Sequence, residues 1–332
     1  MKQPYLLFLG NETELANAKT ASGIAYWRPE ICIGQYRQSD ETVSIGIPDM
    51  NLDEAYANGA RTLIIGIAPS GGYIAPEWVA IFLAALEKGY DIAAGLHQRL
   101  NDHPEIAAAA KQYGRQLFDV RQPTQEFDVG TGAPRPGKRL LTVGTDCAVG
   151  KMYASLAIEK ELKNRGINAS FRATGQTGIF ITGRGISVDA VVSDFVSGSV
   201  EWLAPANDED HWDIIEGQGA LGHPSYAAVT LGLLHGSQAD KLVLCHDASR
   251  SHIADLEGYP LKELGDCMDE YVAAGKLTNK NISFAGISVN TSRMSEEAAL
   301  AYMKGVEEKY ALPCCDPVRT GVAAIVDNLL AE

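Results

Sequence analysis

Lys151 and the glycines before it are the residues of this chain best placed to do chemistry. The apolar run Leu140-Leu141-Thr142-Val143 enters Gly144-Thr145-Asp146-Cys147-Ala148-Val149-Gly150-Lys151-Met152, and an alanine-rich amphipathic stretch, Tyr153 to Leu162, leaves it. This is the strand, phosphate loop, helix order of a P-loop. Successive backbone N–H groups and the positive end of the helix face one point, and Lys151 adds a full charge, so a phosphate is stabilised there. Two departures matter. Five residues, not four, separate Gly144 from Gly150, and Met152 stands where a magnesium-binding loop carries Ser or Thr. A thioether is a poor ligand for a hard cation, so phosphate binding is the firmer expectation than phosphoryl transfer, and no metal is expected.

Other polar groups sit at the ends of apolar runs. Glu216 ends His211-Trp212-Asp213-Ile214-Ile215, His246 and Asp247 end Lys241-Leu242-Val243-Leu244-Cys245, and Asn290 ends Phe284-Ala285-Gly286-Ile287-Ser288-Val289. Glu216, His246, Asp247, His223 and Asp49 are the candidate proton acceptors. Arg172, Arg184, Arg250 and Arg319 are the candidates for binding carboxylates, because a planar guanidinium donates to them bidentately. Two turns in the first half, Ile47-Pro48-Asp49-Met50 and Ala68-Pro69-Ser70-Gly71-Gly72-Tyr73, have the composition of ligand-binding loops, and Ser70, Gly71 and Gly72 are candidate substrate contacts.

The elements that must position these groups read as two α/β domains with mainly parallel sheets. Residues 1–120 alternate strand-like and helix-like segments, among them Tyr5 to Leu9, Val43-Ser44-Ile45, Thr62 to Ile67, Pro76 to Lys88 and Pro104 to Tyr113. That alternation predicts a Rossmann-like domain. Residues 121–138 carry three prolines and three glycines with little apolar periodicity and read as a linker. Residues 139–332 read as a P-loop NTPase-like domain.

The composition limits the partners. The 332 residues carry a formal charge of −14, which argues against nucleic acid and requires local donors for any polyanionic ligand. No apolar run reaches the roughly 18 residues that cross a bilayer, and Met1-Lys2-Gln3-Pro4 leads into a strand, so a cytoplasmic protein without membrane attachment is expected. The six cysteines lack paired zinc spacing. Small-molecule substrates are the expected partners; a homo-oligomer is compatible with the sequence but not read from it.

Gly144 to Lys151 resembles the phosphate loop of dethiobiotin synthetase, with the same glycine spacing and Gly-Thr-Asp opening, and Glu216-Gly217 and Asn290 resemble its acidic and base-recognition motifs. That likeness implies an ATP-dependent ligase or kinase as the alternative, although the hydroxyl at 152 is missing. A fuller likeness spans nearly the whole chain. The two-domain order, the loop from Gly144 to Met152, Glu216-Gly217-Gln218-Gly219 and Leu244-Cys245-His246-Asp247 are similar to the DgcN family of D-glutamate N-acetyltransferases. The resemblance implies acetyl transfer from acetyl-CoA, as co-substrate, to the amine of D-glutamate in D-amino acid catabolism. A loop that binds phosphate without the magnesium hydroxyl suits coenzyme A.

Overall fold

The computed structural model describes residues 1–69 and 71–331. They form two compact units, Met1–Thr124 with Gln176–Ser187, and Gln125–Gly175 with Val188–Glu332.

In the first unit, strands β1 (Tyr5–Gly10), β2 (Cys32–Arg37), β3 (Thr62–Ile65), β4 (Asp91–Ala94) and β5 (Leu117–Asp119) lie in the order β2-β1-β3-β4-β5, every pair parallel. Helices α1 (Lys19–Trp27), α2 (Leu52–Ala57), α3 (Pro76–Lys88) and α4 (Pro104–Tyr113) connect them. A parallel sheet covered on both faces needs continuous apolar strands, and Tyr5 to Leu9 are all buried. Two helices are bounded as the sequence predicts, with proline in the first turn and Gly89 or Gly114 in the left-handed conformation after the last. Asn51 and Glu54 form the capping box at the start of α2. Val43-Ser44-Ile45, expected as a strand, is not one. The Gln35 side chain takes the place of a neighbouring strand there, donating to Ser44 Oγ (2.8 Å) and accepting from Ile45 N (2.9 Å).

The second unit has β6 (Lys138–Gly144), α5 (Lys151–Asn164) and β7 (Ala169–Arg172). The chain then gives helix α6 (Gln176–Thr182) to the first unit, where Thr177 Oγ1 donates to Thr20 on α1 (3.2 Å) and Arg28 donates to Ile181 O (3.0 Å). On its return it forms α7 (Val196–Leu203), β8 (Trp212–Ile215), α8 (Ala227–Ser237), β9 (Lys241–Asp247), a hairpin of β10 (His252–Ile253) and β11 (Leu256–Pro260), and α9 (Leu264–Gly275). Strand β12 (Ser283–Asn290), α10 (Glu296–Tyr310), β13 (Cys314–Cys315) and α11 (Ala323–Leu330) complete it. Residues before β6 are anchored on α7, with Thr131 N (3.0 Å) and Gly132 N (2.8 Å) donating to Glu201.

The six strands are ordered β13-β12-β9-β6-β8-β7, all pairs parallel. From β6 the chain crosses towards β8 and β7, whereas from β9 it crosses towards β12. The carboxyl ends of the neighbours β6 and β9 therefore flank the switch point, where open parallel sheets bind ligands. Among the described residues no helix is long and apolar enough to cross a membrane.

Close approach at the sheet edge depends on Gly217. Its N–H donates to Thr142 Oγ1 (3.0 Å), and a Cβ there would lie 1.8 Å from Thr142 O. Gly217→Ala is expected to destabilise the second unit by about 1–3 kcal/mol, read as a lower thermal midpoint in calorimetry; an unchanged midpoint would contradict this packing.

Candidate active site at the phosphate loop

The loop leaves β6 at Gly144 and turns through two positive-φ residues, Ala148 (52°) and Gly150 (100°). Such alternation turns successive N–H groups to one side and makes an anion-binding concavity. The N–H groups of Ala148, Val149 and Gly150 donate to no protein acceptor among the described residues. Lys151 lies over the loop, its Nζ donating to Asp146 O (2.8 Å), and burial holds its ammonium below the usual lysine range. Gly144 eases this approach, since a Cβ there would be 3.0 Å from both Lys151 Nζ and Asp146 O, tight enough that a neighbour would have to give by a few tenths of an ångström.

Asp146 is fully buried and is the anchor of the loop. Its Oδ1 accepts from Cys147 N (2.6 Å); its Oδ2 accepts from Arg250 (2.8 Å) and from Ala254 N (2.8 Å). Arg250 also donates to Cys147 O (2.8 Å) and Ala148 O (3.3 Å). His246, at the end of β9, meets Thr145 Oγ1 through Nδ1 (3.0 Å), and burial lowers its pKa against the pull of Asp247. Asp247 is engaged by Ser249 N (3.0 Å), Ser249 Oγ (2.6 Å) and Arg250 Nε (3.3 Å).

Glu216 follows β8 and is buried beside the loop. Its Oε2 accepts from Thr174 N (2.9 Å) and Gly175 N (3.2 Å), while Thr174 Oγ1 donates to its backbone carbonyl (2.7 Å). Burial pushes the carboxyl up to about 7, against the opposing pull of those two N–H groups and of Lys151. A carboxyl poised at neutrality is the form suited to accept a proton.

The structure thus brings Thr145, Asp146, Lys151, Glu216, His246, Asp247 and Arg250 to one sheet edge. Other candidates lie in different surroundings. Arg172 is held on Asp213 Oδ1 (2.7 Å), which also faces His211 Nε2 (3.2 Å). Arg319 donates to Thr291 Oγ1, Thr291 O and Met294 O (3.1 Å each), and Asn290 Oδ1 accepts from Ser292 N (3.0 Å). Met152 sits in the first turn of α5. Asp49, Gly71 and Gly72 belong to the first unit, and Ser70 lies outside the described residues. The Arg37 guanidinium (2.5 Å to Oδ2) holds Asp49 below the usual carboxylate range, which makes it a weak base. At the first unit's own switch point, between β1 and β3, a cleft of about 380 Å³ is lined by Asn11, Glu12, Tyr73 and Trp78 among others, with no cationic side chain among the described residues.

Asp146, Cys147 and His223 place ligand-type atoms within 4.8 Å of one another. Ser225 N–H donates to His223 Nδ1 (3.1 Å), which leaves the proton of a neutral ring on Nε2, the atom 3.9 Å from Asp146 Oδ1. A ligating histidine instead donates through its second nitrogen, so this grouping fits a hydrogen-bonded network better than a cation site.

Sequence reading missed Tyr271. Its hydroxyl, on α9, donates to Gly144 O (2.8 Å) and accepts from Leu221 N (3.1 Å), clamping the loop's first residue. With Leu264, Cys267, Met268 and Gly275 it reads as one more member of a buried helical stripe, and no local signal separates it from them. Tyr271→Phe leaves those backbone groups unpaired and is expected to cost roughly 1–3 kcal/mol of stability, measured by denaturant titration.

Residues 36–123 match the DUF1611_N Rossmann-like domain, and residues 128–326 match the domain described as "Domain of unknown function (DUF1611_C) P-loop domain". A protein of Tritonibacter scottomollicae named D-glutamate N-acetyltransferase is 48% identical over 331 residues, covering 100% of this chain and 99% of that protein. One of the same name from a Pseudoalteromonas species is 45% identical over 329 residues, covering 99% of each. The crystal structure of a DUF1611 family protein from Anabaena variabilis has a TM-score of 0.89 at 32% identity, with 100% of both chains covered.

Proposed function

This chain belongs to the DUF1611 family, and from that membership and the site geometry we propose that it is an N-acetyltransferase moving the acetyl group of acetyl-CoA to the amine of D-glutamate. The observation that carries the reading is an open phosphate loop set beside a buried carboxyl that titrates near neutrality. The loop's free N–H groups and Lys151 suit a phosphate of coenzyme A, and Met152 leaves no hydroxyl to seat a magnesium ion.

The amine of free glutamate is protonated at neutral pH, roughly two to three units below its pKa, so presenting the neutral nucleophile costs about 3–4 kcal/mol unless a base assists. Glu216 is that base, with His246 next in line. The amine nitrogen attacks the thioester carbonyl, the C–N bond forms as the C–S bond breaks, and coenzyme A leaves as the thiol. The Gly217 N–H is held by Thr142 Oγ1 (3.0 Å), so the backbone N–H groups suited to the developing oxyanion are those of Gln218 and Gly219. Arg172, Arg250 and Arg319 each already hold a protein partner, so any of them that binds a glutamate carboxylate must exchange it.

Thiol release from acetyl-CoA by the purified protein, without ATP or magnesium, is expected with D-glutamate and not with L-glutamate or no acceptor. Release with neither enantiomer, or magnesium-dependent phosphate release from ATP in its place, overturns the reading. If Glu216 is the base, kcat/KM rises about tenfold per pH unit below about 7 and levels above it, because only the ionised carboxylate accepts the proton. Glu216→Gln should lower kcat by about 10²–10⁴-fold with the KM for acetyl-CoA little changed. A profile flat through pH 7 would move the role to another group.

A further inference from the structure

A phosphate loop without a magnesium-binding hydroxyl still has to hold its donors in place, and in this chain the group that touches the back of the loop is Arg250. Its NH1 donates to Asp146 Oδ2 (2.8 Å) and Cys147 O (2.8 Å), its NH2 to Ala148 O (3.3 Å), and its Nε lies 3.3 Å from Asp247 Oδ2. A trans peptide is planar, with its C=O and N–H pointing in opposite directions. Drawing the carbonyls of Cys147 and Ala148 onto the guanidinium therefore turns the N–H groups of Ala148 and Val149 away from it. Those are two of the three loop N–H groups that donate to no protein acceptor among the described residues. Ala148 is also a non-glycine residue at φ 52°, a left-handed conformation that persists only where surrounding contacts hold it.

We propose that Arg250 is a positioning residue of a phosphate loop that works without a divalent cation: it presets the Ala148 and Val149 donors from behind, so that a coenzyme A phosphate binds without metal. This rests on the acetyl-CoA reading and removes Arg250 from the glutamate carboxylates, for which its residue type had recommended it. The segment that brings Arg250 follows β9, the strand beside β6, so the cation arrives from across the switch point. Asp146 gives it a fixed seat: the carboxylate that accepts from Arg250 also accepts from Ala254 N, on the far side of the same segment (2.8 Å). Only Arg has a fork wide enough to meet a carboxylate and two carbonyls together.

Coenzyme A and ADP binding by calorimetry, with turnover measured alongside, tests this. Wild-type affinity for coenzyme A should be the same in EDTA as in magnesium. Arg250→Ala should weaken it about tenfold or more and raise the KM for acetyl-CoA, with the KM for D-glutamate unchanged. Arg250→Lys should recover part of the loss, since a point charge reaches one carbonyl but not both. Wild-type affinity that collapses in EDTA overturns the proposal whether or not the variants fold. So does Arg250→Ala with wild-type coenzyme A affinity, or with a raised KM for D-glutamate alone, the outcome of direct carboxylate contact. A wild type that binds ADP but not coenzyme A strikes the donor assignment instead, and the same losses in ADP affinity then decide for or against Arg250.

Discussion

The candidate site depends on the burial of one carboxylate. Asp146 has no exposed surface, and an unpaired charge there would cost several kcal/mol. It is compensated by three donors from different places: the loop's own Cys147 N–H, the Arg250 guanidinium and Ala254 N–H. A single side chain thereby ties the exit of β6 to the segment after β9. The negative charge of the whole chain makes this more than a local matter. A polyanion approaches against the overall field, so attraction has to come from backbone donors and two cations held at short range, where the field of the distant carboxylates is screened.

Similar side chains take different roles here because their surroundings differ. Glu216 is out of water, its charge stabilised by two N–H groups and a buried lysine, and its carboxyl is poised at about 7. Asp49 is about half exposed and gripped by Arg37, and its carboxyl is held down. The contrast is one of solvation against pairing, and it ranks the two acids as proton acceptors where residue type alone ranks them equally.

Much of this was legible in the chain. The phosphate loop announced itself by glycine spacing between an apolar run and a helix, and Glu216 by being an acid at the end of a strand. Helices α3 and α4 could be bounded to the residue, because proline and glycine at their ends are local signals with a steric cause. What could not be read is tertiary. Tyr271 contacts residues 127 and 50 positions away, and nothing in its own helix encodes that. Arg250, Arg172 and Arg319 are alike as sequence, yet each is assigned by the acceptor it meets: the loop carbonyls, Asp213 and Thr291. Val43-Ser44-Ile45 has strand composition, but a side chain, Gln35, occupies the hydrogen bonds a neighbouring strand would need.

Helix α6 has a consequence for how the molecule is made. The first unit consists of residues 1–124 and 176–187, so the stretch that completes it is synthesised only after β6, the phosphate loop, α5 and β7. The amino-terminal sheet is encoded before residue 124, but Thr20 and Arg28, on or beside α1, have partners on α6 that follow some fifty residues later. The chain re-enters the first unit immediately after Gly175, whose N–H donates to Glu216. Gly175, which holds the acid, and Gln176, which begins the first unit's last helix, are thus neighbours in the chain.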